Sequence, residues 1–324
     1  MNIKEIGGEF ALIEKVTRKS KDPKVVIGVG DDAAVIDVGM PKYLLITTDM
    51  LCEGDHFRCD WYTPRQIGAK AMEANVSDVA AMGGLPRHAF VSIALTESTT
   101  VEWVEEFYKG LYEVADRFGF EIIGGDTTHS SKVIVSITLT GEVEPDNLRL
   151  RSHAKVGDMI VVTGDLGKSK AGLELLLKGV ENIRGSLPHL EPKCRLEEAR
   201  IIAPVAHAMI DVSDGLASEV NHICEQSHVG ARVYAEKIPI EAVTEGAAST
   251  CGHDPLNYAL NGGEDYELVF TIEEEKIGEL KKKLECPLTV VGEITEKEKG
   301  ILLIDQKGKE NPLKGGYDHF GGKP

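Results

Sequence analysis

TPRQIGAKAMEANVSDVAAMGG (63–84), set between the β-branched runs YLLITTD (43–49) and HAFVSIAL (88–95), reads as strand, helix, strand. Thr63 is an N-cap and Pro64 takes the first helical position, where a missing N–H costs nothing; Gly83-Gly84 end the helix. KVVIGV (24–29) is an earlier strand bounded by glycine. A second helix begins near Ser98-Thr99 and runs through VEWVEEFYKGLYEVADRF to Gly119. Trp103, Phe107, Leu111, Val114 and Phe118 recur on it at helical spacing, a stripe for core packing. EIIGGDTT (121–128) and KVIVSITLTGEV (132–143) restore strand patterns and complete an α+β unit near residue 147.

The hydrophilic stretch EPDNLRLRSHAKVGD (144–158) reads as an inter-domain connection. A second unit follows: strand MIVVTG (159–164), helices SKAGLELLLKG (169–179) and RLEEARIIAPVAH (195–207), the DVSDG segment (211–215), strands such as YELVFTI (266–272) and the charged helix EEEKIGELKKKLE (273–285). The Lys281-Lys282-Lys283 run there is a solvated face. A length of 324 residues is more than one ordinary core accommodates and suits two domains, expected at 1–147 and 148–324.

The formal charge of −17 excludes a nucleic-acid or anionic-membrane surface, and a small anion would have to bring cations with it. No run of about 18 apolar residues is present, and MNIKEIGGEFALIEKV lacks the basic start and apolar block of a signal peptide, so a cytoplasmic protein is expected. The six cysteines form no C-x-x-C pair, which favours reduced thiols over a disulfide framework. Cys52, His56 and Cys59 lack a fourth ligand for a soft metal, and the two cysteines are better read as small apolar fillers.

Two phosphate-loop patterns fail on inspection. GDLGKS (164–169) has Val162 where G-x-x-x-x-G-K-[ST] needs its first glycine. GVGDDA (28–33) places two carboxylates where backbone N–H groups should meet a pyrophosphate, and a strand pattern follows instead of a helix. Asp31 and Asp32 suggest a metal instead. Aspartate recurs in the same way at TTD (Thr47, Thr48, Asp49), NVSD (Asn75, Asp78), GGDTT (Asp126) and DVSDG (Asp211, Ser213, Asp214). Asp beside Gly, Ser or Thr is ordinarily turn and helix-cap chemistry. Five such groups in one chain alter that reading, because hard oxygen ligands suit Mg²⁺ shared with substrate phosphates, and the acids repel one another unless cations intervene. Asn75 and Asp78 add a small polar pair three apart on one helix face.

GEFALIEKV, GVGDDAAVI, TTDMLCEGDHF, KAMEANVSDVAAMGG, IIGGDTT, RSHAKVGD, IDVSDGL, NGGEDYELVFT and GGYDHF occur in the order and spacing of the thiamine-monophosphate kinases, and the chain resembles that family from end to end. The wider superfamily includes aminoimidazole ribonucleotide synthetase, selenophosphate synthetase and a hydrogenase maturation protein. The resemblance implies two α+β domains of the aminoimidazole ribonucleotide synthetase type, the N-terminal one mediating homodimerisation, with the active site in the cleft between domains. It implies Mg²⁺ ligands at Asp32, Thr47, Thr48, Asp49, Asp78, Asp126, Asp211 and Asp214, ATP contacts at Gly125, Asp126, Arg151 and Ser213, and thiamine-phosphate contacts at His56, Glu264 and Tyr317. The chain departs from the family pattern over EGDHFRCDWYTP (53–64) and at Leu313-Lys314-Gly315, where many relatives have an aromatic residue.

These assignments make physical sense. Arg151 offers a planar donor fork to phosphate oxygens, Gly124-Gly125 lets backbone approach a nucleotide, Glu264 carries charge that a thiazolium would seek, and Tyr317 offers a face for a cation–π contact. The expected reaction is in-line transfer of the ATP γ-phosphoryl group to thiamine monophosphate, giving thiamine diphosphate without a phosphoenzyme. The alternatives are another ATP-using member of the superfamily, or a non-catalytic cation- or nucleotide-binding module.

Overall fold

The computed structural model describes residues 5, 8–180 and 183–317, with the backbone alone at Phe10 and 183–185; Asp318, His319 and Phe320 of the terminal G-Y-D-H-F motif lie outside the described residues. The first unit contains α1 (Glu9–Val16), β1 (Val25–Ile27), β2 (Ala34–Ile36), β3 (Tyr43–Cys52), α2 (Pro64–Ala81), β4 (Leu85–Leu95), α3 (Val101–Phe118), β5 (Glu121–His129) and β6 (Ile134–Val143). Its six strands form one sheet in the order β1-β2-β3-β6-β4-β5, antiparallel throughout except between β4 and β5. Two 3-10 turns, Pro145–Asn147 and Arg151–His153, carry the chain into the second unit.

There β7 (Met159–Thr163), α4 (Lys168–Leu177), α5 (Ile183–Leu190), α6 (Leu196–Ile202), β8 (Met209–Asp211), α7 (Leu216–Ser227), β9 (Gly230–Tyr234), α8 (Ala242–Cys251), α9 (Pro255–Asn261), β10 (Leu268–Ile272), α10 (Glu274–Lys283), β11 (Leu288–Thr295), β12 (Ile301–Ile304) and β13 (Glu310–Pro312) follow. The strands make a seven-stranded sheet, β13-β12-β9-β11-β7-β10-β8. The architecture is α+β, as the strand and helix patterns require.

The long helices begin where their caps dictate. Thr63 and Gln66 form a reciprocal capping box at the start of α2, and Thr100 accepts from the Trp103 amide at the start of α3. Gly119, in the left-handed region, ends α3. Of the expected stripe on α3, Phe107, Leu111 and Val114 are fully buried, and Trp103 and Phe118 pack against the same core. Each such burial is worth about 1.5–3 kcal/mol.

Helix α2 buries 13 of its 18 residues, which makes it a spine inside the molecule and not a surface helix. Its small residues pack against β3, β6 and α3 on one side and against α6 and β8 of the second unit on the other. The core is therefore continuous across the two units, with Met72, Val79 and Leu139 in one hydrophobic cluster with Met209, Leu268 and Phe270.

The sheet of the first unit has one covered and one open face. Along β3, Leu45, Thr47 and Leu51 are buried under the helices, and Thr48 and Met50 are exposed on the other side. Phe90 and Met50 on that open face are 40% and 57% exposed. The edge strand β5 is exposed along almost its whole length. Gly125 is required there because it has φ +152°, and a Cβ would collide with the Val91 carbonyl of β4.

Candidate active site

The covered face of the first sheet brings Asp49 towards the middle of α2, and β8 ends at Asp211 beside the same stretch of helix. Asp32 comes from the loop before β2. Carboxylate oxygens of Asp32, Asp78 and Asp211 lie within 4.8 Å of one another, and among the described residues this is the group of acids that could hold a metal ion. Two of these residues belong to the first unit and one to the second. The donor set is hard oxygen, and Asp32 Oδ2 is buried without a hydrogen-bond partner, so the group fits a magnesium-like cation.

The neighbours show how the cluster is held. Thr47 Oγ1 donates to Asp78 Oδ2 at 2.5 Å, and Ser77 Oγ donates to Asp211 Oδ2 at 2.5 Å. Arg151 Nη2 donates to Asp32 Oδ1 at 2.5 Å, and its backbone N–H donates to Asp31 Oδ2 at 3.2 Å. Four acidic side chains are held above the ordinary carboxylate range. Burial and Asp32 push Asp31 up to about 7 and Asp49 up to about 6, and the same two causes push Asp211 up to about 8. Asp78 is driven well above its usual range by burial and then by Asp49, Asp211 and Asp32.

These shifts set a sign for stability. A carboxyl with a higher pKa folded than unfolded binds more protons in the native state, so stability falls as pH rises between the two values. With folded values of about 6 to 8 against an unfolded value near 4, the falling window spans roughly pH 4 to 8. Thermal denaturation in chelator is expected to give a lower Tm at pH 8 than at pH 6, with added Mg²⁺ flattening the difference. A chelated Tm that rises over that interval contradicts the arrangement.

Asp214 and Ser213 lie in the loop after β8. The Asp214 N–H donates to Glu219 Oε1 at 2.9 Å, and its carbonyl accepts the Tyr317 N–H at 3.0 Å. Glu264 N–H donates to the Ser213 carbonyl at 2.8 Å, and Gly263 permits that approach because a Cβ there would meet the same carbonyl. Glu264 and Tyr317 are thus both tied to the DVSDG loop. His56, in the turn after β3, accepts the Cys52 N–H on Nδ1 at 3.1 Å. This leaves Nε2 as the protonated nitrogen of the neutral ring.

Two expected ligands stand elsewhere within the chain. The Thr48 hydroxyl is on the open face, donating to the Ile137 carbonyl at 3.1 Å. Asp126 lies in register with Ser92 on that same face, beside a depression of about 170 Å³ also lined by Met50 and Ser136. Gly125 is beside it on the edge strand. Glu264 also differs from expectation in its charge balance. Its Oε2 lies 2.8 Å from Lys70 Nζ and 3.4 Å from His189 Nδ1. Burial pushes its carboxyl up, but Lys70 and His189 outweigh that and hold it below the usual range. The carboxylate is paired before any cation arrives.

Glu219 and Ser77 belong to the acidic centre without having been singled out, and Asp31, read from GVGDDA as a metal-site acid beside Asp32, lies there too. Ser77 was legible as the neighbour of Asp78 in NVSD. Glu219 sits on the first turn of α7, and nothing in its sequence context separates it from a surface glutamate. The rejected GDLGKS loop does open a helix, α4, but Asp265 already occupies its N-terminus, accepting from Gly167 N at 2.5 Å and Ser169 N at 2.9 Å.

Two family models match the chain, AIR synthase related protein, N-terminal domain, over residues 30–143 and its C-terminal domain over residues 155–305. The chain belongs to the AIR synthase related family. Within it, the chain belongs to the thiamine-monophosphate kinases. It is 38% identical to the Buchnera aphidicola (subsp. Acyrthosiphon pisum) enzyme over 96% of this chain and 98% of that one. Against the Bacillus subtilis enzyme it is 36% identical over 96% and 99%. The solved structure of AaThiL complexed with AMPPCP and TMP superposes with TM-score 0.87 at 36% identity, covering 98% of this chain and 99% of that one. Hydrogenase maturation protein HypE in complex with ATP, at 22% identity and TM-score 0.73, shares the fold.

Proposed function

We propose that this chain is an ATP-dependent kinase that phosphorylates thiamine monophosphate to thiamine diphosphate. The observation that carries the reading is the convergence of Asp32, Asp78 and Asp211 from both units into one cation-binding group. The kinship with thiamine-monophosphate kinases, and with a structure holding an ATP analogue and TMP, supplies the substrates.

In this reading Mg²⁺ would be held by Asp32, Thr47, Asp49, Asp78, Asp211 and Asp214, with the group around Asp78 at its centre, while Thr48 and Asp126 on the open face would serve a partner protomer's site. Bound there, the ions supply the positive charge that two polyanionic substrates need to approach one another. Asp32 occupies one arm of the Arg151 fork, and the guanidinium would offer its remaining N–H groups to ATP phosphate oxygens. Ser213 and Gly125 complete the nucleotide contacts.

The acceptor phosphate has a second pKa near 6, so close to pH 7 it is already a nucleophilic dianion. One of its oxygens forms a bond to the γ-phosphorus as the bond from that phosphorus to the β,γ-bridging oxygen breaks, and ADP leaves. No side chain need remove a proton. His56 presents its Nε2–H to the acceptor, Glu264 faces its thiazolium, and Tyr317 closes over it. Glu264→Gln is expected to raise KM for thiamine monophosphate about tenfold with kcat little changed; steady-state kinetics with an unchanged KM would remove Glu264 from the pocket.

We further place the division between domains at 1–147 and 148–324, on either side of the turn-rich connection. The uncovered face and exposed edge of the first sheet support a homodimer through the N-terminal domain, bringing Thr48 and Asp126 beside a partner. The reading assigns the enzyme to the cytoplasm, where its six free cysteines stay reduced. The chain has no helix, among the described residues, long and apolar enough to cross a membrane. The direct test is a coupled assay: ATP, Mg²⁺ and thiamine monophosphate yield ADP and thiamine diphosphate, and free thiamine does not replace the monophosphate. Absence of ADP release sinks the proposal.

A further inference from the structure

The fold buries one ammonium that phosphoryl transfer does not use. Lys70 on α2 is wholly buried. Its Nζ donates to the His56 carbonyl at 3.0 Å, to the Tyr62 hydroxyl at 3.0 Å and to Glu264 Oε2 at 2.8 Å. An ammonium has three protons, and each finds an acceptor. Burying such a charge is tolerable only with that degree of pairing.

The three acceptors are not neighbours in the chain. His56 and Tyr62 belong to the turn region that leaves β3, and Glu264 comes from the second unit, 194 residues from Lys70. Glu264 is also a non-glycine residue with φ +66°, a left-handed conformation that the surroundings must impose. The hydrogen bond its N–H donates to the Ser213 carbonyl and its ion pair with Lys70 hold it there. Lys70 and His189 both approach Oε2, which leaves Oε1 outside these two contacts.

We propose that Lys70 is a positioning residue of the acceptor pocket, acting through Glu264: it locks the carboxylate and the His56 turn into one frame across the two units before the acceptor binds. The inference rests on the kinase reading and adds a residue that it does not require.

Lys70→Met keeps the length of the side chain and removes its charge. KM for thiamine monophosphate is expected to rise at least tenfold, with KM for ATP within twofold and kcat lowered less than tenfold. Lys70→Met/Glu264→Gln removes both charges, so it leaves no lone buried ion and reports even if the single variant does not fold. Its KM for thiamine monophosphate should match that of Glu264→Gln within about threefold. The proposal fails if Lys70→Met leaves that KM unchanged or raises both substrates' KM together, or if the double variant exceeds Glu264→Gln by a further tenfold. A wild-type protein without turnover ends the kinase reading and this inference with it; wild-type turnover with an unshifted Lys70→Met ends the inference alone.

Discussion

Asp78→Asn is expected to lower turnover by about a thousandfold or more while the chain melts at a higher temperature in chelator than the wild type does. Both effects have one cause. Asp78 is buried among Asp49, Asp211 and Asp32, whose charges raise its pKa, so in the absence of cations its carboxylate opposes folding. Asparagine keeps an oxygen that accepts from Thr47 and removes the repulsion. A gain of about 1 kcal/mol would lift Tm by about 1.5 °C in a protein of this size. The same change takes a hard anionic ligand from the cation group, and with it the charge that holds two polyanions together. Normal turnover, or a loss of activity explained by unfolding, would remove Asp78 from the metal ligands.

Glu267→Ala is expected to do the reverse: to destabilise the fold by roughly 3–5 kcal/mol while leaving the acidic centre intact. Glu267 is fully buried and takes a two-pronged contact from Arg195, Nε at 2.6 Å and Nη2 at 2.7 Å. Lys168 pairs with it as well, and Thr163 Oγ1 donates at 2.7 Å. Truncation leaves two cations facing a hollow. Because Arg195 and Lys168 retain some solvent contact, the lower end of that range is expected. Urea denaturation reads the effect, and a midpoint within error of the wild type would contradict it.

This contrast explains why the candidate site was legible only in part. GGEDYE contains three acids that look alike on paper, yet Glu264 pairs with the buried Lys70, Asp265 caps α4, and Glu267 closes a structural ion-pair network. Local residue chemistry cannot separate them, because the partners are contributed by α2, α4 and the segment before α6. The helices α2 and α3 and the strands of the first sheet could be read directly, since N-caps, glycine stops and strand alternation are local signals. The convergence of Asp32, Asp78 and Asp211 could be suspected from the repeated acidic turns, but their proximity is a product of long-range packing around α2. Lys70 was invisible for the opposite reason: a lysine among small apolar residues on a helix normally reaches for solvent, and only the turn of β3 and the Glu264 loop close over it.

Strand alternation also separated residues that motif order had grouped. Thr47, Thr48 and Asp49 are consecutive, so the middle side chain must face the other way, onto the open face with Asp126. Physical period two could have revealed this from TTD alone.

Manganese substituted for magnesium, with a non-hydrolysable ATP analogue, locates the ions by anomalous scattering in crystals of the full chain. The account predicts a peak within bonding distance of the Asp32, Asp78 and Asp211 carboxylates, shared with phosphate oxygens. Peaks elsewhere, with those three carboxylates unligated, would contradict it.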